Sequence, residues 1–486
     1  MEETKHTDTP QQVRSHDETY SGVPAASPRQ AGVQARELIE VDDELMVDIE
    51  DLVRSRSDFL LLNILQDLYP ADIAHIMNRL DTEQAEYVFG LLPADVKSEV
   101  ILELDDVHRE HLLKTLPQSE LTKLVRRMDS DDAADIVAEL SKETAEEVLE
   151  TMDVQDSSHV EELLRYDEST AGGIMAKEVA VVHLNDTVKK AIKAVRAMAK
   201  EHKNIYSVYV VDENGVLVGS IPLQDLLLYA PNKRVSKLMN TDVIRVTTDV
   251  DQEEVAQIFK KYDLVSLPVT DTAGKLLGRI TVDDIVDVLE EEHEEDVARM
   301  VGSDVEEMER RTPYQIAMLR LPWIMITLFI QLFAGLVIHQ YSETLTKVIL
   351  LASFMPIISA LSGNTGLQAA AIVVRGLATG HIRLNRWKDP IKRQLQTSVI
   401  LGLACGIILG IIGGVWSKHF AFGLVVGTSM FISINISGLI GSATPLLSKR
   451  LGFDPAVTAG PFETAFQDVI GITIFLTIAT LMLQWL

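Results

Sequence analysis

Five apolar stretches in the C-terminal third of the chain constrain its fold more than any other feature. A helix of about 20 apolar residues spans the hydrocarbon core of a bilayer, and each stretch is at least about that long. Inside that core the backbone must bond to itself, so helices are the structures expected there. The sequence therefore predicts an α-helical membrane domain over residues 317–486, with spans at residues 318–340, 346–374, 396–416, 419–447 and 462–486.

Charge divides the chain into two parts. The whole chain has 44 Lys and Arg against 72 Asp and Glu, a net charge of −28. Residues 313–486 hold 11 basic and 5 acidic residues, which leaves 33 basic and 67 acidic residues before them. Such an acidic polar part argues against nucleic acid as a partner and favours divalent cations.

The loop at residues 375–393 is rich in Arg and Lys. Positively charged loops stay in the cytoplasm, so five spans place the N-terminal part inside and the C-terminus outside. The polar start of the chain shows no signal peptide, and Cys405 alone supports neither a disulfide nor a thiolate metal site. We expect a multi-pass protein of the cell (inner) membrane, in contact with membrane lipid.

A 24-residue repeat organises residues 46–153, after a polar stretch at residues 1–45 that we predict to be a disordered tail. Leu-Asp or Met-Asp pairs recur at this period, and Leu-Pro or Leu-Ser pairs lie halfway between them. Asp, Ser and Pro are favoured where helices begin, so each half-repeat predicts one short amphipathic helix. Such helices stack into a superhelix, which usually binds or transmits rather than catalyses.

A second repeat, with a period of 59 residues, follows a linker at residues 154–167. Each copy reads helix, strand, turn, strand, helix, with a β-hairpin tip at Asn214-Gly215 or Ala273-Gly274. This pattern resembles a tandem pair of cystathionine-β-synthase-type (CBS) domains, at residues 168–232 and 233–293. Such pairs commonly bind adenosine nucleotides and regulate an attached enzyme or transporter.

The second copy resembles the nucleotide signature of CBS domains. The resemblance implies that Gly278, Thr281 and Asp284 bind ATP or another adenosine nucleotide, with Thr281 and Asp284 on ribose and phosphate. In the first copy Pro222 stands where the Thr is expected. A purely structural pair is the alternative.

Acidic residues gather in the superhelix and after the second CBS copy. Mg²⁺ binds weakly through one or two carboxylates and keeps most of its waters, which suits scattered carboxylates. The alternatives are helix caps and a solvated acidic helix. The candidate regulatory Mg²⁺ ligands are Asp129, Asp131, Asp132, Asp135, Asp284, Asp287, Glu291, Glu292, Glu295 and Asp296. A connecting helix at residues 294–316 is predicted to lead into the membrane.

Polar side chains within the apolar stretches predict an ion pathway. Asp468 lies well inside the fifth stretch, with Thr464 one turn before it on the same helix face. A carboxylate ringed by hydroxyls and carbonyls can hold a hydrated dication, whereas a protonated structural Asp and polar packing between helices are the alternatives. The candidate pore residues are Asp468, Thr464, Gly363, Asn364, Gln368 and Asn435.

The order of acidic superhelix, CBS pair, acidic helix and five spans resembles the MgtE family of magnesium channels. Its membrane motifs are present as Arg320-Leu-Pro-Trp323, Ser362-Gly-Asn-Thr-Gly-Leu-Gln368 and Asp454-Pro followed by Asp468. The resemblance implies a homodimer with its pore between the two membrane domains, and Asp468 as the residue that recognises hydrated Mg²⁺. It also implies that cytosolic Mg²⁺ closes the pore by bridging carboxylates. Ser362 and Leu367 replace a Gly and an Asn of the family pattern, which leaves the preference among Mg²⁺, Mn²⁺, Co²⁺ and Ca²⁺ open.

The predicted fold class is a multi-domain integral membrane protein with an all-α superhelical N domain, α/β tandem CBS domains and an α-helical five-span domain. The predicted function is a Mg²⁺-gated magnesium channel that mediates divalent cation influx. The alternatives are an ion-coupled transporter or exporter of another divalent metal, such as Mn²⁺ or Co²⁺, and a non-conducting membrane-anchored sensor of Mg²⁺ or nucleotide. We find no P-loop, nucleophile–base set or metal-hydrolase motif, so no enzyme is predicted.

Overall fold

A computed structural model describes residues 41–200, 202, 204–303 and 312–485. Most of the predicted disordered tail therefore lies outside the described residues. The first helix begins at Asp43 because the carboxylate of Asp42 accepts the backbone N–H of Leu45 and caps it. This start lies three residues before the predicted edge of the superhelical domain.

Ten short helices build the superhelix, and the tenth occupies most of residues 154–167, which were predicted to be a linker. The predicted 24-residue period is confirmed, because N-caps fall at Asp81, Asp105, Asp129 and Asp153, with Pro or Ser N-caps between them. The helices are α1 Asp43–Arg54, α2 Asp58–Leu65, α3 Pro70–Asn78, α4 Thr82–Leu91, α5 Ala94–Val100, α6 Asp106–Thr115, α7 Gln118–Val125, α8 Ser130–Glu139, α9 Lys142–Thr151 and α10 Val154–Leu163. Their apolar core continues into the second half of the CBS pair.

The CBS pair contains two three-stranded sheets. The predicted hairpins are confirmed: Gly215 and Gly274 sit at their tips with φ of 82° and 84°, a conformation that favours glycine. Each sheet also has a first strand of two or three residues, parallel to the second, which is too short to show a sequence period. The elements are β1 Val181–His183, α11 Val188–Met198, β2 Ser207–Val211, β3 Leu217–Pro222, α12 Leu223–Leu228, β4 Val246–Thr247, α13 Gln252–Tyr262, β5 Ser266–Thr270, β6 Leu276–Thr281 and α14 Val282–Val301.

Helix α14 carries the chain from the CBS pair toward the membrane domain. It runs unbroken through the point at residue 294 where the connecting helix was predicted to begin. It ends at Gly302, whose φ of 72° is the left-handed conformation of a helix C-cap. Residues 304–311 of the predicted connecting helix lie outside the described residues.

Five helices of the membrane domain are long and apolar enough to cross a bilayer, as predicted. The domain comprises α15 Pro313–Gln340, α16 Ser342–Lys347, α17 Leu351–Ala378, α18 Lys388–Ser417, α19 Phe420–Leu451, α20 Pro455–Thr458 and α21 Pro461–Leu481. Helices α17, α19 and α21 are buried against one another, whereas α15 is almost wholly exposed along its apolar length. The centre of the domain is therefore the junction of α17, α19 and α21.

Candidate ion pathway and acidic interfaces

The carboxylate of Asp468 on α21 is held by two donors from other helices. Ser359 Oγ on α17 donates to Oδ1 at 2.6 Å, and Gln331 Nε2 on α15 donates to Oδ2 at 2.7 Å. Neutral donors of this kind stabilise an ionised carboxylate without neutralising it. Gln331 is a site residue that was not predicted from sequence, although it is an amide in the middle of a strongly apolar span.

Two other predicted pore residues lie beside Asp468. A methyl group added to Gly363 would be 3.5 Å from Asp468 Oδ1 and 3.5 Å from Thr464 Cγ2. Gly363 on α17 therefore faces Asp468 and Thr464 on α21 at ordinary van der Waals distance. The structure brings Asp468, Thr464 and Gly363 into one site.

The remaining predicted pore residues lie elsewhere. Asn364 and Gln368 are on the exposed face of α17, away from the junction with α19 and α21. Asn435 on α19 donates to the carbonyl of Phe431 at 2.8 Å and packs where Gly402 of α18 has no side chain. These amides do not contact Asp468.

A second polar site lies about one turn further along α17, at Gly366. Glu463 and Gln467 of α21 are each 1% exposed, and Gln467 Nε2 donates to Glu463 Oε1 at 2.7 Å and to the carbonyl of Ser437 at 3.2 Å. Ser437 Oγ in turn donates to the carbonyl of Ser362 on α17. A methyl group at Gly366 would lie 2.7 Å from Glu463 Oε1, so only glycine fits without displacement.

Asp131 and Asp132 of the superhelix and Asp284 of α14 lie near enough to raise one another's pKa, although the described residues hold no group of three His, Cys, Asp or Glu side chains placed to bind one metal ion. Burial raises the pKa of Asp131 well above its usual range, and the charges of Asp132 and Asp284 raise it further. Burial raises the pKa of Asp132 to about 8, with Asp129 and Asp284 contributing. The pKa of Asp284 is raised to about 6 by burial, against the hydrogen bonds that it accepts from Thr281. Like charges that are buried near one another favour the protonated form or a bound cation, and oxygen groups are those that Mg²⁺ prefers.

Asp129 differs from its neighbours because it has basic partners. Its Oδ1 lies 2.7 Å from His202 Nδ1, and its Oδ2 lies 3.9 Å from the Arg279 guanidinium. The next residue, Ser130, donates its backbone N–H and its hydroxyl to Glu178 at 3.1 and 2.8 Å. These partners lie in the CBS pair, far along the chain, so no local sequence pattern predicts them.

The other acidic positions are spread along the superhelix and α14. Burial raises the pKa of Asp287 and Glu291, with Glu103 of the superhelix adding to the first. Asp135 shares this interface: burial raises its pKa to about 6, and Glu168 adds to the shift. Glu292 accepts a hydrogen bond from Gln252 Nε2 at 2.8 Å.

The last turn of α14 contacts the membrane domain. Arg299 pairs with both Glu295 of its own helix and Asp454 at the start of α20. Met300 packs on an apolar cluster formed by α17 and α20. Burial raises the pKa of Asp296 to about 6, and the charge of Asp454 adds to this.

The residues of the nucleotide signature are engaged with one another. Asp284 Oδ2 accepts the backbone N–H of Thr281 at 2.9 Å and its hydroxyl at 2.8 Å, which forms a capping box at the start of α14. A methyl group at Gly278 would lie 2.6 Å from the carbonyl of Ala176, which explains a glycine there without a ligand. The local structure therefore accounts for all three residues.

Comparisons with known proteins match the superhelix, the CBS pair and the membrane domain. The family model described as MgtE, divalent cation transporter, matches residues 355–478, the MgtE intracellular N domain matches residues 68–169, and the CBS domain matches residues 171–232 and 235–291. The magnesium transporter MgtE of Thermus thermophilus is 32% identical over 450 residues, which are 91% of this chain and 100% of that protein. The magnesium transporter MgtE of Bacillus subtilis is 32% identical over 90% of this chain and 97% of that protein. A crystal structure of the cytosolic domain of the Mg²⁺ channel MgtE in complex with ATP is 35% identical, covers 50% of this chain and 99% of that one, and has a TM-score of 0.47.

Proposed function

This chain belongs to the MgtE family of divalent cation transporters, which are not enzymes, and we propose that it is a magnesium channel closed by cytosolic Mg²⁺. The main support for a pore is the Asp468 carboxylate, which lies inside the membrane-spanning helix α21 and accepts hydrogen bonds from Ser359 and Gln331. An ionisable group at bilayer depth marks a pathway for ions. A hydrated dication is recognised there through its waters, since Mg²⁺ gives them up reluctantly.

The pore forms between two copies of the chain. Helix α15 and one face of α17, which includes Asn364 and Gln368, are exposed in a single copy. Amides at bilayer depth need a polar partner or water, and a homodimer around a water-filled path supplies both. Lipid covers the rest of the apolar surface. The basic loop at residues 375–393 supports cytoplasmic polar domains and an extracytoplasmic C-terminus.

Gating uses the proximity of Asp131 and Asp132 on the superhelix to Asp284 on α14. At low cytosolic Mg²⁺ these carboxylates repel one another, so the superhelix separates from α14. Mg²⁺ bound between these carboxylates favours the docked state, in which the superhelix contacts α14. The ion can shift the equilibrium between the docked and separated states only by the difference between its affinities for them. Docking holds the end of α14 against the membrane domain through Arg299 and Asp454. At a membrane potential of 100 mV, the field contributes about 4.6 kcal/mol to the entry of a divalent ion.

Flux of Mg²⁺ into proteoliposomes tests the pore. Asp468→Asn keeps the shape of the side chain but removes its charge, so we expect flux to fall to background. Asp389→Asn makes the same change at an exposed position of α18 and should retain the parent flux. Equal flux above background in Asp468→Asn and the parent would refute a pore at Asp468. Background flux in both proteins would leave only a sensor, and flux that needs a proton or sodium gradient would favour a coupled transporter.

Nucleotide binding at Gly278, Thr281 and Asp284 stays a prediction. An adenosine nucleotide that uses Thr281 and Asp284 must share them with the capping box at the start of α14. Titration of the full-length protein with ATP, compared with Thr281→Val, tests whether the hydroxyl contributes to binding.

A further inference from the structure

Glu463 is a buried carboxyl that the proposed pore does not use. It lies in the first turn of α21, is 1% exposed, and makes no ion pair with a basic side chain in the described part of the chain. An ionised carboxylate without a partner is very costly in an apolar environment. A negative charge on Glu463 therefore does not fit its surroundings.

The partner of Glu463 is an amide, and both side chains have an unused oxygen. Gln467 Nε2 donates to Glu463 Oε1 at 2.7 Å, but Glu463 Oε2 and Gln467 Oε1 are buried without a hydrogen-bond partner. Both unused atoms are acceptors while Glu463 is ionised. One proton on Glu463 turns one of these acceptors into a donor. A carboxylic acid and an amide then form two hydrogen bonds: the amide N–H donates to the acid C=O, and the acid O–H donates to the amide C=O.

The other groups near this pair are neutral or already paired. Helix α17 contributes Gly366, and α19 contributes the hydroxyl and carbonyl of Ser437. On α21, Asp468 has its own donors and shares none with Glu463. Before α21, Asp454 is paired with Arg299 of α14. Among the described residues of these elements, no basic side chain makes an ion pair with Glu463, whose hydrogen-bond partner is Gln467.

We propose that Glu463 is a proton-binding site, in which a neutral acid–amide pair with Gln467 locks α21 to α17 and α19. The pair closes on Gly366, about one turn from the Gly363 that lies beside the pore carboxylate. Loss of the proton leaves a buried charge, which loosens this junction and lowers ion flux as the pH rises. The effect on flux rests on the proposed channel function, whereas the proton site itself does not.

Infrared spectroscopy of the full-length protein in lipid bilayers tests the proton directly. At neutral pH, Glu463→Gln should remove one band of a protonated carboxyl, and Gln467→Met should shift that band because the amide partner is lost. Glu343→Gln is the control, since Glu343 is exposed and paired with Lys347 at 2.7 Å. Loss of an ionised carboxylate band in Glu463→Gln, in place of the protonated one, would overturn the proposal.

Flux measured from about pH 7 to about pH 9 tests the consequence. Wild-type flux should fall with rising pH, and Glu463→Gln should remove that fall because its amide cannot ionise. The acidic cytosolic domains are identical in both proteins, so the difference reports Glu463 alone. The same pH profile in both proteins would refute the coupling to flux. No flux in any protein, with the infrared band intact, would reject the channel and leave the proton site standing.

Discussion

Replacing Asp132 by Asn should dock the superhelix onto α14 at lower Mg²⁺. In the docked state, burial and the nearby carboxylates raise the pKa of Asp132 to about 8. The ordinary value for Asp is about 3.9, so docking takes up a proton. Docking is therefore strongest below about pH 4 and weakens as the pH rises to about 8. Above that range Mg²⁺ replaces the proton, because a ligand carboxylate must be ionised.

The magnitude follows from the difference between the two pKa values. At pH 7 the carboxyl of Asp132 is ionised when the superhelix is separated and mostly protonated when it is docked. Protonating a carboxyl of pKa about 3.9 at pH 7 costs about 1.4 kcal/mol for each pH unit between these two values, or about 4 kcal/mol. Asn carries no charge to neutralise, so Asp132→Asn favours docking by up to about 4 kcal/mol at pH 7 without Mg²⁺. This is an upper limit, because Asp131 competes for the same proton.

Energy transfer between a dye on the superhelix and a dye on the CBS pair measures docking of the full-length protein in bilayers. Wild type should need more Mg²⁺ for half-docking at about pH 8 than at about pH 6, where proton uptake assists docking. Asp132→Asn should need less Mg²⁺ and show a flatter pH dependence. Asp153→Asn, at an exposed N-cap of the same repeat series, should behave as wild type. If Asp132→Asn needs as much Mg²⁺ as wild type, buried repulsion does not oppose docking.

Three further variants test the contacts of the membrane domain. Gly366→Ala places a methyl group 2.7 Å from a buried carboxyl oxygen, so it should cost about 1–3 kcal/mol of stability and lower the melting temperature. Gly335→Ala is the control, because its methyl group meets nothing within 4 Å and should leave the melting temperature unchanged. Asp454→Asn weakens the pair with Arg299, so flux at high cytosolic Mg²⁺ should rise above wild type; unchanged closure would show that α14 does not act through this contact. Ser359→Ala removes a donor worth about 1 kcal/mol to the pore carboxylate, and a higher Mg²⁺ concentration for half-maximal flux is expected.

The candidate site could be predicted from sequence only in part. Asp468, Thr464 and Gly363 were predictable because a carboxylate, a hydroxyl one turn away and a glycine are unusual in apolar spans. Gln331 was missed because a single amide in a span 137 residues away carries no signal of its partner. The burial of Glu463 was not predictable, because an acidic residue near the start of a span commonly faces water. In the structure its side chain is 1% exposed.

Local rules allowed the sequence alone to determine the helical repeat, the two hairpins and the five membrane spans. Capping, turn conformation and apolar length act over a few residues, so they are legible in the chain itself. Only the tertiary structure decided which carboxylates meet, such as Asp132 with Asp284, and which donors hold Asp468. Burial and charge proximity depend on how distant elements pack, and both the proposed gating interface and the proposed pore site consist of such contacts.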